Sequence, residues 1–113
     1  MTRPIGIIGA MAAEAEYLKN RLGSLKTRTI GKAFTFHTGT LHGRPIVLSQ
    51  SGIGKVNAAI ATALMIELHA PSGIINTGSA GGIGAGLKVG DIIIGTAALH
   101  HDADATAFGY AYG

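Results

Sequence analysis

The sequence predicts an α/β fold whose single sheet contains both parallel and antiparallel strands. Short apolar runs that end in glycine are followed by segments rich in helix-forming residues, as expected where buried strands lead into helices. Between the two helical segments, apolar and polar residues alternate with the period of a sheet that has one covered face. The resulting order, β-α-β-β-β-α-β-loop-β, implies a sheet with parallel and antiparallel parts.

The first strand and the first helix are predicted at the amino terminus. Residues 4–9 form a short β-rich run that ends in glycine, which is typical of a buried strand. Residues 12–22 contain no glycine or proline, and their apolar positions, among them Ala15 and Leu18, have helical spacing. Gly23 supplies the predicted end of this helix.

Three antiparallel strands are predicted next, at about residues 27–30, 34–41 and 46–50. Turn-forming pairs lie between them, Gly31-Lys32 and His42-Gly43.

A second helix and two further strands complete the prediction. The helix covers about residues 55–69, where every fourth position is apolar, giving a packing stripe of Val56, Ile60, Leu64 and Leu68. A buried strand follows at residues 73–77, and a glycine-rich loop runs to Gly90. Residues 91–95 are rich in isoleucine and predict a last strand.

Composition limits the class of protein. With 113 residues the chain is expected to form one domain, and 47% apolar against 13% charged residues indicate a well-buried core. The net charge of +3 is carried by scattered basic residues, which disfavours nucleic-acid binding. There is no cysteine and no apolar run of about 20 residues, so thiolate metal sites and a membrane span are not expected. We expect a cytoplasmic protein.

The segment Gly73–Gly82 is the strongest indication of a ligand site. An apolar run breaks directly into small residues, which leaves main-chain groups accessible at the carboxyl end of a strand, where open α/β sheets bind ligands. Asn76, Thr77 and Ser79 add short polar side chains without charge. The loop therefore suits a neutral polar ligand, such as a sugar or a base, better than a triphosphate.

Glu14 is the candidate catalytic residue. It lies one turn into the first helix, directly after the first strand, which places a carboxylate at the carboxyl edge of the sheet. An ionised carboxylate there can serve as a general base. The alternative is a carboxylate that is merely stabilised by the helix dipole, and the same alternative applies to Glu16.

Two other motifs are weak. Gly52-Ile53-Gly54-Lys55 lacks the earlier glycine and the following Ser or Thr of a phosphate loop. We interpret it as a tight turn before a helix. A weaker alternative is a helix amino terminus that faces a polar ligand. His100 and His101 are adjacent on a predicted strand and would point to opposite faces. We therefore expect no metal site there.

Three segments together carry a family resemblance: Gly6-Ile7-Ile8-Gly9-Ala10-Met11-x-x-Glu14, Ser51-Gly52-Ile53-Gly54-Lys55-Val56-Asn57-Ala58-Ala59 and Ile75-Asn76-Thr77-Gly78-Ser79-Ala80-Gly81-Gly82. The segments at residues 87–92 and 101–110 extend it. The chain resembles the 5′-methylthioadenosine/S-adenosylhomocysteine nucleosidases, over about the first half of such an enzyme. The resemblance implies the nucleoside phosphorylase fold, truncated after about half, so that residues 1–113 would be the amino-terminal half of one nucleosidase domain.

The resemblance also implies a function and a set of site residues. The activity is hydrolysis of the bond between adenine and a 5-thioribose, by a homodimer and with no cofactor. Glu14 matches the carboxylate that activates water. The matching substrate contacts are Met11 and Ile53 on the sugar and thioalkyl side, Ser79, Ala80 and Gly81 near the ribose and base, and Phe108, which closes the thioalkyl pocket of the neighbouring subunit.

The main departure from the family pattern is that this chain lacks the second half; in addition, residues 12 and 13 are alanines where relatives often carry acidic groups. The aspartic acid that protonates adenine and a glutamate that holds the ribose hydroxyls both come from the second half of the family's sequence. We therefore expect a fragment that is inactive, or nearly so, in isolation. Two alternatives remain: a purine nucleoside phosphorylase of the same fold, and a non-catalytic remnant that still binds an adenosine-like ligand.

Overall fold

The structure, a computed structural model, describes residues 2–113. It divides into two units, of which the first ends at Ala80 and the second comprises Gly81–Gly113. The elements of the first unit are, in chain order, β1 (Ile5–Gly9), α1 (Ala12–Lys19), β2 (Gly23–Ile30), β3 (Phe34–Leu41), β4 (Arg44–Gln50), α2 (Lys55–His69) and β5 (Gly73–Thr77). The second unit contains one turn of 3-10 helix, Thr106–Phe108.

The five strands form one mixed sheet in the order β2-β3-β4-β1-β5. β1 lies between β4 and β5 and is parallel to both, whereas β2, β3 and β4 are antiparallel. The predicted sheet with parallel and antiparallel parts is therefore confirmed. In the parallel part, Gly9 is the register partner of both Gln50 and Thr77, so three strands end at one edge.

Each helix covers one face of the sheet. Neighbouring residues of a strand point to opposite faces, and Ile7 and Ile8 of β1 accordingly belong to different core clusters. Ile7 packs with Ala15 of α1, and Ile8 belongs to the cluster that contains Met65 of α2. Gly6 allows α2 to approach, because a Cβ at this position would lie 2.5 Å from the Met65 sulfur.

The end of the first helix was predicted wrongly. The helix ends at Lys19, three residues before the predicted Leu22, and β2 begins at Gly23, four residues before the predicted Thr27. The Leu22 amide donates to the Lys19 carbonyl in a turn, and the Leu22 side chain is buried in the cluster with Ile7. Leu22 thus packs against the sheet, which accounts for the apolar spacing in the sequence, although this residue lies beyond the end of the helix.

The predicted strand at residues 91–95 was also wrong. Within residues 2–113, this segment pairs with no strand, and Ile92, Ile93 and Ile94 are exposed. A turn precedes the segment, in which the Asp91 carboxylate accepts a hydrogen bond from the Lys88 amide at 2.8 Å, and residues 91–95 themselves are irregular. A strong β propensity reflects packing on a sheet and does not form a strand without a neighbouring strand.

Within residues 2–113, no helix is both long enough and apolar enough to cross a bilayer.

Two leucines on strands allow a test of this core. Leu48 on β4 is fully buried, whereas Leu25 on β2 is 43% exposed. We expect Leu48→Ala to lower the free energy of unfolding by about 2–5 kcal/mol, because it leaves a cavity between α1 and the sheet. The matched control, Leu25→Ala, should cost less than about 1 kcal/mol, since surface changes have small effects. Urea titration measures both, and equal losses would contradict the described core.

Candidate functional site

The candidate site lies where β1, β4 and β5 end together. After β1 the chain turns through Ala10 and Met11 into α1, and after β5 it continues through Gly78 and Ser79. Because β1 and β5 are parallel neighbours, these two turns lie side by side. Glu14 and Ser79, 65 residues apart in the sequence, are therefore in contact.

The Glu14 carboxylate accepts hydrogen bonds from both turns. Its Oε2 atom accepts from the amides of Ala10, at 2.8 Å, and Met11, at 3.0 Å. Its Oε1 atom accepts from the Ser79 amide at 3.2 Å and from the Ser79 hydroxyl at 3.4 Å. The side chain thus connects the end of β1 with the end of β5.

These contacts stabilise the ionised form of Glu14. The Met11 amide has the largest effect and the Ser79 amide the next, and together they lower the pKa of the carboxyl below its ordinary 4.5, against a smaller opposing effect of desolvation. Hydrogen bonds donated to a carboxylate favour its charged form. Glu14 is therefore an anion at neutral pH, able to accept a proton or to stabilise a nearby positive charge.

The loop after β4 also contacts this edge. The amide of Ser51 donates to the Gly9 carbonyl at 2.9 Å, and the amide of Gly52 donates to the Ala10 carbonyl at 3.1 Å. Ser51 is buried, whereas Ile53, two residues further, is 74% exposed. The loops after β1, β4 and β5 therefore form one hydrogen-bonded surface around Glu14.

The predicted site residues of the first unit have different environments. Met11 precedes α1, donates its amide to Glu14 and has a 40% exposed side chain. Ser79 contacts Glu14 directly, and Ala80 follows it in an exposed position. Ile53 is exposed before α2. The structure thus brings Glu14, Met11 and Ser79 together and leaves the side chains of Ile53 and Ala80 accessible.

The remaining predicted residues, Gly81 and Phe108, belong to the second unit. Phe108 ends the 3-10 turn and is 83% exposed. Asp104 stabilises this turn by accepting from the Thr106 hydroxyl at 2.7 Å and from its amide at 3.0 Å. These bonds, the hydroxyl first, lower the pKa of Asp104. Asp104 therefore stabilises the 3-10 turn that ends at the exposed Phe108.

The prediction that His100 and His101 lie on a strand was wrong. Residues 100 and 101 are in irregular structure, and His101 Nδ1 is 3.9 Å from an Asp102 carboxylate oxygen. Among residues 2–113, no three His, Asp or Glu side chains are grouped in a way that could hold a metal ion.

Two cavities lie near the candidate site, and neither is lined by Glu14. One of about 360 Å³ is bordered by the β2–β3 turn and the start of α2, and its polar side chains are those of Thr35, Gln50, Ser51 and Asn57. The other, of about 130 Å³, lies beside α1 against Lys19 and His37. The first cavity has no charged side chain, and the second is lined by Glu16 of α1 but not by Glu14. We place the candidate chemistry at Glu14, because its carboxylate connects the ends of β1 and β5.

Two contributors to the site were missed at the sequence level. The amide of Ala10 makes the shortest hydrogen bond to Glu14, and Gly78 lies directly against its carboxylate. A main-chain donor has no residue-type signature, so Ala10 could not be found. Gly78 stood in the glycine-rich loop and was noticed only as part of it.

The pH dependence of stability tests the Glu14 contacts. Because the pKa of Glu14 is lower in the folded than in the unfolded chain, its contribution to stability is full above its ordinary 4.5 and is lost as pH falls through the folded pKa. Glu14→Gln should therefore lower Tm at pH 7, and the difference from the wild type should shrink in acid. Glu16→Gln, on the same helix, is the matched control. A Glu14→Gln effect that does not depend on pH would contradict the described contacts.

Comparison with known proteins gives a consistent result. The family model described as the phosphorylase superfamily matches residues 4–113. The 5′-methylthioadenosine/S-adenosylhomocysteine nucleosidase of Halalkalibacterium halodurans is 56% identical over 109 residues, which are 96% of this chain and 47% of that protein. The chain thus spans about half the length of the curated relatives it matches.

Solved structures agree with these matches. The nucleosidase of the same name from Neisseria meningitidis, in complex with methylthio-immucillin-A, superposes with a TM-score of 0.94 at 52% identity, covering 98% of this chain and 48% of that one. The Colwellia psychrerythraea enzyme in complex with adenine gives a TM-score of 0.91 at 49% identity, covering 97% and 45%. The predicted resemblance and the predicted nucleoside phosphorylase-like fold are confirmed, and this chain belongs to the phosphorylase superfamily.

Proposed function

We propose that this chain is the amino-terminal half of a single nucleosidase domain, which hydrolyses the N-glycosidic bond of 5′-methylthioadenosine and S-adenosylhomocysteine and releases adenine. The observation that carries the proposal is the ionised Glu14 carboxylate, held beside Ser79 at the carboxyl edge of the sheet. Relatives above 50% identity have this activity in their names. The enzyme would act in the cytoplasm on a small nucleoside and use no cofactor.

In the proposed mechanism, Glu14 acts on water and on the developing charge of the sugar. Cleavage of a glycosidic bond passes through an oxocarbenium-like state, which a nearby carboxylate stabilises while it draws a proton from the attacking water. Ser79, Ala80 and Gly81 would lie along the ribose and base, and Met11 and Ile53 along the sugar and thioalkyl side.

We propose that the attacking water binds Glu14 by replacing one of its present donors. A carboxylate offers about four lone-pair positions, and four donors already contact the two oxygens of Glu14. The bond from the Ser79 hydroxyl is the longest, at 3.4 Å, and a hydroxyl can rotate away. We therefore place the attacking water on Oε1, where it displaces this hydroxyl while the three amides keep the carboxylate in place.

The proton for the departing adenine must come from elsewhere. By the family resemblance, the acid and the residue that holds the ribose hydroxyls come from the carboxyl-terminal half of the domain. Loss of a proton-transfer group costs about 10²–10⁴-fold in rate. We therefore propose that this 113-residue chain has little or no activity without that half.

A phosphorylase of the same superfamily is the second candidate, because the matched family model covers phosphorylases. The anionic Glu14 argues against it, since a carboxylate repels phosphate at the position where the nucleophile must bind. The third candidate is a chain that binds an adenosine-like ligand without catalysis.

Complementation separates the three candidates. We expect this chain, mixed with the carboxyl-terminal half of the Halalkalibacterium halodurans nucleosidase, to release adenine from 5′-methylthioadenosine, while each half alone does not. Glu14→Gln in the mixture should lower the rate by about 10²–10⁴-fold, and Glu16→Gln should leave it unchanged. Strict dependence on added phosphate would identify a phosphorylase. Ligand binding in a mixture that never releases adenine would identify the non-catalytic alternative.

We also propose that the protein is a homodimer that associates through α2, with Phe108 reaching the neighbouring site. One side of α2 packs on the sheet through Ala61 and Met65, but the opposite side is apolar and exposed. Its members are Val56, Ala59, Ile60, Ala63 and Ile66. A continuous apolar stripe of this kind is typical of a protein interface.

Charge placed in this stripe tests the dimer. Val56→Glu should convert a dimer into a monomer, because an unpaired carboxylate would be buried at the interface. Leu25→Glu, a change of the same kind at an exposed apolar residue of β2, is the matched control. Sedimentation equilibrium measures both, and a dimer that survives Val56→Glu would exclude this face.

A further inference from the structure

We infer that Gly78 is a positioning residue for Glu14: its lack of a side chain lets the carboxylate lie close to the main chain after β5 and reach the Ser79 amide. The expected effect on catalysis rests on the proposed function, whereas the contact itself does not. Gly78 belongs to no catalytic step, and it acts only through Glu14.

The evidence is the space that a Cβ at Gly78 would occupy. It would lie 3.0 Å from Oε1, 3.3 Å from Cδ and 3.4 Å from Oε2 of Glu14, and these are its three nearest atoms. The φ angle of Gly78 is not positive, so an L residue is acceptable to the backbone. The nearest obstacle to a methyl group at position 78 is therefore the carboxylate of Glu14.

A second glycine limits Glu14 from the other side. A Cβ at Gly9, the last residue of β1, would lie 3.2 Å from the Glu14 Cβ, and its next contacts would be main-chain atoms of α1 at 3.5 and 3.6 Å. Gly9 therefore allows the first turn of α1 to approach β1. The Glu14 side chain therefore lies between Gly9, at the end of β1, and Gly78, which follows β5, and it has little room to move at its Cβ.

The two oxygens of Glu14 would respond differently to a methyl group at position 78. The bonds to Ser79, at 3.2 and 3.4 Å, are already long, whereas those from Ala10 and Met11 are 2.8 and 3.0 Å. A shift of a few tenths of an ångström away from Gly78 would carry Oε1 beyond hydrogen-bonding range of Ser79. Gly78 thus determines the position of Oε1, the oxygen on which we place the attacking water.

Carbon-13 NMR titration of the Glu14 carboxyl tests this directly in the full chain. Gly78→Ala should raise the pKa of Glu14 toward its ordinary value, because both bonds from Ser79 are lost. Ser79→Ala should raise it less, since only the hydroxyl is removed. Gly73→Ala is the matched control, on β5 with no atom within 4 Å of the added Cβ, and it should change nothing. An unchanged Glu14 titration in Gly78→Ala would overturn the inference.

A double-variant cycle separates positioning from folding. Gly78→Ala should lower Tm in the wild type but not in a Glu14→Ala background, where the atoms that oppose the methyl group are gone. If Gly78→Ala alone does not fold, the Glu14→Ala/Gly78→Ala protein should fold as well as Glu14→Ala. An equal loss of stability in both backgrounds would show that Gly78 acts on the fold and would overturn the inference.

In the complemented enzyme, Gly78→Ala should lower kcat/KM by about tenfold, less than the roughly 100-fold cost of a 1 Å misplacement. The loss should fall on kcat, and the acidic limb of the pH profile should move to higher pH. A loss confined to KM would overturn the inference. If the wild-type mixture releases no adenine, the proposed function fails, while the titration and the double-variant cycle still decide the role of Gly78.

Discussion

One carboxylate connects the parts of this molecule on which its proposed chemistry depends. Glu14 accepts hydrogen bonds from main-chain amides at the ends of β1 and β5, two strands that the sequence separates by more than 60 residues. Amides at the end of a strand need acceptors, and a charged acceptor forms stronger bonds than a neutral one. The same interaction therefore fixes the geometry of two loops and keeps a negative charge at the carboxyl edge of the sheet.

The hydrogen bonds that hold the Glu14 carboxylate in place also lower its pKa, which makes it a weaker base. A weak base that is rigidly held still orients a water and stabilises positive charge without reorganisation, which is often the larger contribution to catalysis. A reaction in which the sugar becomes cationic gains most from such a group, and this is the chemical reason for preferring glycoside hydrolysis at this site.

Exposed apolar side chains lie on the outer side of α2 and in the segment at residues 91–95. The outer side of α2 carries exposed valine and isoleucine, and residues 91–95 carry three exposed isoleucines. Our dimer proposal uses the first. The second has the composition of a strand but lacks a strand partner within residues 2–113, so its conformation follows from the neighbours available to it and not from its propensity.

The sequence by itself determined the elements with strong local patterns. Alternation in residues 34–41, the four-residue spacing of apolar residues in α2 and the glycine that ends β1 predicted strands and a helix at the right places, because these signals come from periodicity and main-chain sterics. The predicted packing stripe of α2 was wrong in its first half, since Leu64 and Leu68 pack on the sheet but Val56 and Ile60 are exposed. It also selected Glu14 and Ser79 by their positions after strands. Only the tertiary structure decided where α1 ends, that residues 91–95 do not form a strand, and that Ala10 and Gly78 contact Glu14. Those outcomes depend on burial, on strand partners and on main-chain atoms, and none of these can be inferred from the identity of a single residue.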